Sequence, residues 1–160
     1  MKVVLVCTGN TCRSPMAEAL LRQMAASRGL EIEVSSAGTH ASPGLPASPE
    51  AVEVCRRAGI DLTGHRSRRL SAAVVEQADL ILTMEHHHRV LAAGLYPDAA
   101  GRLHALAAYA GESGAAGVPD PLGGGREVYQ GVYERLASLL DQVLSRIREE
   151  DYARADRHRQ

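Results

Sequence analysis

The chain has 160 residues, 45% of them hydrophobic, and a formal net charge of -1. That length fits one domain with a core of its own, and the near-neutral charge excludes the basic signature of a nucleic-acid or membrane-surface binder. No apolar run reaches membrane-span length, the start lacks a signal-peptide pattern, and Cys7, Cys12 and Cys55 make no secreted disulfide framework, so a reducing cytoplasm is expected.

Val3 to Val6 is short, apolar and β-branched, which predicts a buried strand. After the loop that follows, Ser14 reads as an N-cap and Pro15 as the first turn of a helix. Met16, Leu20, Leu21 and Met24 recur at helical spacing, and Gly29 ends that helix. Ile32 to Ser35 predicts a second strand, and the proline-rich stretch His40 to Pro49 predicts a loop. Ser48-Pro49 opens a helix to about Ala58, and Ser71 opens a shorter one. Leu80 to Leu82 is a third strand, His86 to Ala93 a helix ending at Gly94, and Leu103 to Leu106 a short fourth strand.

Gly111 to Gly125 is irregular, and loops of that length are often functional. Arg126 to about Glu150 forms a long amphipathic helix with Val132, Leu136, Leu139, Leu140, Val143 and Ile147 on one face. The segment from Asp151 to Gln160 reads as a charged, frayed tail beyond a single domain spanning residues 1–150. Strands alternating with helices predict a three-layer α/β fold: a central four-stranded parallel sheet with helices on both faces. With no Phe and no Trp, its core rests on Leu, Val, Ala and Ile.

The loop Cys7-Thr8-Gly9-Asn10-Thr11-Cys12-Arg13-Ser14 carries the chemistry. It places a thiol, turned-in amides, an arginine fork and a helix start at the carboxyl end of the first strand, where open α/β sheets bind ligands. Arg13 suits two phosphate oxygens, and the positive field favours the thiolate of Cys7. The pattern lacks the Gly-Lys-Ser/Thr of a nucleotide-binding loop and the glycine spacing of a dinucleotide fingerprint. A phosphoryl group attacked by sulfur is the chemistry it fits.

Asp120, held between Pro119 and Pro121, is the candidate general acid, although Asp-Pro is also an ordinary turn pair. His86-His87-His88 are consecutive on a helix, so they point apart and read as a solvated helix start. Arg66, Arg68 and Arg69 form a basic cluster that reads as a solvated loop or a docking face for an acidic protein. No metal site and no cofactor are expected, because Arg13 and the loop supply the positive charge.

These residues resemble the low-molecular-weight protein tyrosine phosphatase family, whose loop reads Cys-x4-Cys-Arg-Ser. Ser36-Ala37-Gly38-Thr39, Gly64-His65-Arg66-Ser67 and Asp120-Pro121 fall where that family has matching segments. The resemblance covers Lys2 to about Ile147 and is strongest to the bacterial protein-arginine phosphatases, through Thr11. It implies that Cys7, Arg13 and Asp120 are catalytic, with Thr8 to Ser14 and Leu122 around the substrate. It implies a supporting network of Asn10, Ser14, Ser36 and His65, and a reversible Cys7–Cys12 disulfide on oxidation. Phosphorylated proteins are the expected partners, and a monomer is the expected state.

Thr11 is small and hydroxylated, and Leu122-Gly123-Gly124-Gly125 lacks the aromatics that follow Asp-Pro in tyrosine-directed members. Leu122 also replaces the aromatic common in the arginine branch. Phosphoarginine is the expected substrate, and phosphotyrosine the alternative by the same mechanism. Arsenate reductases share the fold but need further cysteines, and Asp79 to Gly94 contains none. A non-enzymatic phosphate-binding module would lack either the nucleophile or the acid, and Cys7 and Asp120 are both present.

Overall fold

The structure, a computed structural model, describes residues 1–114 and 116–159. Strand β1 (Lys2–Cys7) is buried from Val3 onward on both of its faces, as a central parallel strand must be. It pairs in parallel with β2 (Glu33–Gly38) and with β3 (Leu80–Thr83), and β3 pairs in parallel with β4 (Leu103–Ala105). The strand order β2-β1-β3-β4 confirms the four-stranded parallel sheet.

Parallel neighbours need crossovers, and these supply the covering helices. Helix α1 (Arg13–Ser27) links β1 to β2. Helices α2 (Pro49–Arg57) and α3 (Ala72–Gln77) lie between β2 and β3, and α4 (His86–Leu95) with a 3-10 turn (Pro97–Arg102) leads to β4. A four-residue α5 (Leu106–Tyr109) and the long α6 (Arg126–Arg157) complete the chain. Val3 and Leu5 face a core shared with Met16, Leu21, Leu136 and Leu140. Val4 and Val6 face the other, smaller one, with Val75, Ile81 and Leu103. Each fully buried Leu or Ile contributes about 1.5–3 kcal/mol relative to exposure, so aliphatic residues suffice without Phe or Trp. Among the described residues, no helix is long and apolar enough to cross a membrane.

Local signals held at several ends. The side chains of Ser48 and Ser71 cap α2 and α3. Gly29 and Gly59 adopt φ of 67° and 78° just past α1 and α2, a conformation that favours glycine.

Besides α4, which runs through Gly94 to Leu95 instead of ending at Gly94, three boundaries differ from expectation. First, α1 starts at Arg13, with Cys12 as the cap residue and no side-chain capping bond. Ser14 is the second helical residue and Pro15 the third, tolerated because first-turn amides have no intrahelical acceptor. Second, β2 continues through Gly38, pairing Ala37 with Val6 and Gly38 with Cys7. Third, α6 runs on through Asp151 to Arg157 instead of fraying near Glu150. An Arg146–Glu150 pair one turn apart, Arg148 stacked over Tyr152, and basic residues in the last turn support that extension.

Sheet register positions the site. Val6 lies opposite Thr83, and the amide of Met84 donates to Val6 O at 2.8 Å. The chain therefore leaves β1 and β3 side by side, so the Cys7 loop and the Met84-Glu85 segment share one edge. This is also the switch point from which the chain leads to β2 on one side and β3 on the other.

Candidate active site

Cys7 ends β1 and is buried, with two donors on its sulfur. The amide of Asn10 lies 3.3 Å from Sγ. The Ser14 hydroxyl lies at 2.9 Å, and since it accepts from Asn10 Nδ2 at 2.8 Å its hydrogen is free to point at the sulfur. Ser14 thus serves the thiol and not the helix end, which is why its expected capping role fails.

Asn10 holds the loop from beneath. It is fully buried with φ of 55°, a left-handed conformation that Asn tolerates better than most residues. Its Nδ2 also reaches Ser36 Oγ at 2.9 Å, and Ser36 donates to Glu18 at 3.0 Å. Its Oδ1 accepts from the amide of Arg68 at 2.9 Å, and its carbonyl accepts from His65 Nε2 at 2.7 Å. Asn10, Ser14, Ser36 and His65 are therefore one connected set. Arg68 joins it through its backbone and through a side-chain bond to Ser36 O. No pattern in the sequence marks that contact. Gly38 packs so tightly on the loop that a Cβ there would lie 2.5 Å from Thr8 O.

Arg13 points back into the loop with its side chain 3% exposed. Its NH1 donates to Glu85 Oε2 at 2.6 Å and to Val118 O at 3.0 Å. NH2 lies 3.8 Å from Asp120 Oδ2. Both NH1 hydrogens are thus spent on the protein, leaving NH2 and Nε for a ligand. Glu85 is a site residue that sequence reasoning missed, since a lone Glu before a helix carries no signal.

Asp120 is half-exposed and accepts from the Leu122 amide at 3.0 Å. Its loop is docked by the Val118 amide on Met84 O at 2.8 Å. Cys7, Thr8, Thr11 and Arg13 on one side face Asp120 and Leu122 on the other, across a cavity of about 140 Å³ that Gly9 and Cys12 complete. Among the described residues, no aromatic side chain lines it. A larger cavity of about 220 Å³ lies between the start of β1, β2 and α3, and no cysteine is among the described residues that line it.

Cys12 sits below the loop with its sulfur 3.3 Å from the Tyr129 hydroxyl and 3.5 Å from Ser48 Oγ. Burial pushes Tyr129 up to about 12, so its hydroxyl stays protonated. Cys55 is buried in α2, which pushes its thiol up to about 11 and leaves it inert at neutral pH.

The histidine run departs from expectation. His86 and His87 are exposed, but His88 is 1% exposed. Its Nδ1 takes the Glu85 amide at 3.1 Å, closing a capping box with the Glu85 carboxylate. Glu85, His87 and His88 consequently bring ligand-type atoms within 4.8 Å of one another. The expected divergence fails because Glu85 precedes the helix and His88 folds back over its first turn. Both His88 nitrogens are already hydrogen-bonded, to Glu85 and to Thr8.

The family model for low molecular weight phosphotyrosine protein phosphatases matches residues 2–153. A protein-arginine-phosphatase of Bacillus subtilis is 39% identical over 94% of this chain and 99% of its own. A probable low molecular weight protein-tyrosine-phosphatase, EpsP, of Ralstonia nicotianae is 36% identical over 91% of this chain and 95% of its own. A solved YwlE arginine phosphatase variant with a phosphorylated active-site serine superposes with a TM-score of 0.89 at 38% identity, covering 92% of this chain and 96% of that one. With its Cys7 loop at the carboxyl edge of a four-stranded parallel sheet, the chain belongs to the low molecular weight phosphotyrosine protein phosphatase family and is a cysteine-dependent protein phosphatase.

Proposed function

We propose that the protein hydrolyses phosphoarginine in proteins, with Cys7 as nucleophile and Asp120 as general acid and base. In the first step the Cys7 thiolate attacks phosphorus, an S–P bond forms and the P–N bond breaks. Asp120 delivers the proton to the departing nitrogen, and arginine leaves. Arg13 and the loop amides hold the phosphoryl oxygens throughout. In the second step a water attacks phosphorus, its proton passes to Asp120, the S–P bond breaks and inorganic phosphate leaves. The network of Asn10, Ser14, Ser36 and His65 keeps the loop preorganised for both steps.

The observation that carries the arginine reading is the cavity wall. Thr11 and Asp120 offer a hydroxyl and a carboxylate to a planar cation, and no aromatic is present to stack on a phenol. A missing aromatic pair forfeits about 1 kcal/mol of phenol binding. The similarity to a Bacillus subtilis protein-arginine-phosphatase supports the same reading. Phosphotyrosine hydrolysis is the second reading, supported by the similarity to EpsP.

Matched phosphoarginine and phosphotyrosine peptides test this. Wild type is expected to show the higher kcat/KM on phosphoarginine, and Thr11→Ile to lose or reverse that preference. A wild-type preference for phosphotyrosine overturns the arginine reading and leaves the cysteine chemistry intact.

The redox reading belongs to the same loop. Peroxide would oxidise the Cys7 thiolate to a sulfenic acid, and Cys12 would displace water from it to form a disulfide that external thiol reverses. Cys12→Ser is then expected to lose recovery from peroxide under reductant. Recovery equal to wild type would exclude a protective disulfide.

A further inference from the structure

Buried His88 settles its own tautomer. Its Nδ1 receives the backbone N–H of Glu85, which is solely a donor, so Nδ1 carries no proton. A neutral imidazole then has its hydrogen on Nε2. Nε2 lies 2.8 Å from Thr8 Oγ1 and must donate to it. One lone pair of the Thr8 oxygen is thereby filled, and the hydroxyl hydrogen has to point elsewhere.

Thr8 lines the cavity above Cys7. The sulfur there already has the Asn10 amide and Ser14 as donors. Both NH1 hydrogens of Arg13 are committed to Glu85 and Val118. A phosphoryl group at Cys7 brings several charged oxygens against this reduced set of donors. A hydroxyl whose oxygen is occupied from behind is prepared to give its hydrogen forward.

We propose that Thr8 Oγ donates to a phosphoryl oxygen of the substrate, and that His88 is the positioning residue that turns its hydrogen that way. The proposal rests on the reading of the Cys7 loop as the phosphoryl site and is indifferent to which amino acid carries the phosphate. It joins the loop after β1 to the first turn of α4, a pairing that their neighbouring exits from the sheet allow.

Two substitutions at His88 separate orientation from helix capping. His88→Asn keeps an acceptor for the Glu85 amide and loses the reach to Thr8. His88→Gln keeps a donor near the Nε2 position and loses the cap. Activity on both phosphopeptides, inhibition by orthovanadate and thermal midpoint would be measured for these and for Thr8→Val and Thr8→Ser. Thr8→Val and His88→Asn are each expected to lower kcat/KM about tenfold on both peptides and to weaken vanadate similarly, as for loss of one hydrogen bond to a charged group. The double variant is expected to be no worse than either single one. Thr8→Ser and His88→Gln are expected to stay within about threefold of wild type.

Wild-type activity in His88→Asn with loss in His88→Gln would show capping alone and overturn the proposal. So would Thr8→Val with unchanged turnover and vanadate inhibition, and that variant decides the matter should the His88 variants fail to fold. A wild-type preference for phosphotyrosine would overturn the arginine reading only, because the phosphoryl oxygens are common to both substrates. A wild type that neither turned over a peptide nor bound vanadate would remove the phosphoryl site and this proposal with it.

Discussion

Arg13 shows how a residue's work depends on what holds it. Its charge is almost wholly buried, and such a charge is tolerated only when paired and hydrogen-bonded. Glu85 and Val118 O meet that need and fix the plane of the guanidinium. Glu85→Gln preserves the shape and removes the charge. It is expected to lower kcat/KM by about tenfold, the scale of one charge-assisted hydrogen bond, read from initial rates on the preferred phosphopeptide. Unchanged kinetics would mean that Val118 O and the loop orient Arg13 unaided. Ser14 makes a related point. A hydroxyl at a helix start reads as a cap, yet here it faces the sulfur that the loop was folded to hold.

Among the elements, two loops meet over the sheet edge, and each relies on a glycine at its closest approach. A Cβ on Gly38 would lie 2.5 Å from Thr8 O and 3.0 Å from Asn10 N, so Gly38→Ala must displace the Cys7 loop. A Cβ on Gly117 would lie 2.6 Å from Met84 O, so Gly117→Ala must displace the segment that leads to Asp120. The two substitutions are expected to differ. Gly38→Ala should lose vanadate binding and turnover together, whereas Gly117→Ala should lower kcat more than it weakens vanadate. Equal losses in both assays for both variants would show that the loops move as one body. The long helix α6 adds a third constraint, since Tyr129 in its first turn bonds Cys12.

For the molecule as a whole, His88 couples the site to stability. Burial, and then repulsion from His87 and Arg13, depress its proton affinity to about 4 from an ordinary 6.5, against the attraction of Glu85 and Asp120. The unfolded chain therefore takes up a proton below pH 6.5 that the folded chain refuses until about pH 4. Stability is lost as pH falls through that window, by about 2 kcal/mol at pH 5. Denaturant midpoints at pH 7 and pH 5 should show the loss in wild type, and His88→Asn should show a smaller one. An equal loss in both proteins would assign the acid sensitivity to other groups.

Much of this molecule follows from local pattern. Strand and helix identity, the capping serines of α2 and α3, the parallel sheet and the Cys7-to-Ser14 loop are all written in short-range spacing of residue types, because hydrophobic periodicity and turn chemistry act over a few residues. Asp120 stands out in the sequence because two prolines flank it, and the structure places it at the cavity beside Arg13. Glu85, His88, Tyr129 and the true partner of Ser14 were not, since their roles depend on contacts between elements far apart in sequence. Arg13 meets Glu85, and Thr8 meets His88, only because Val6 pairs with Thr83 and delivers both chain exits to one edge. The sequence determined by itself that a thiol and an arginine would lie on a phosphate-binding loop, since strand, loop and helix start are contiguous there. Only the tertiary structure decided what holds that arginine and that His88 lies against the Thr8 hydroxyl, because burial and hydrogen-bond partners are set by packing between elements and not by the neighbours in the chain.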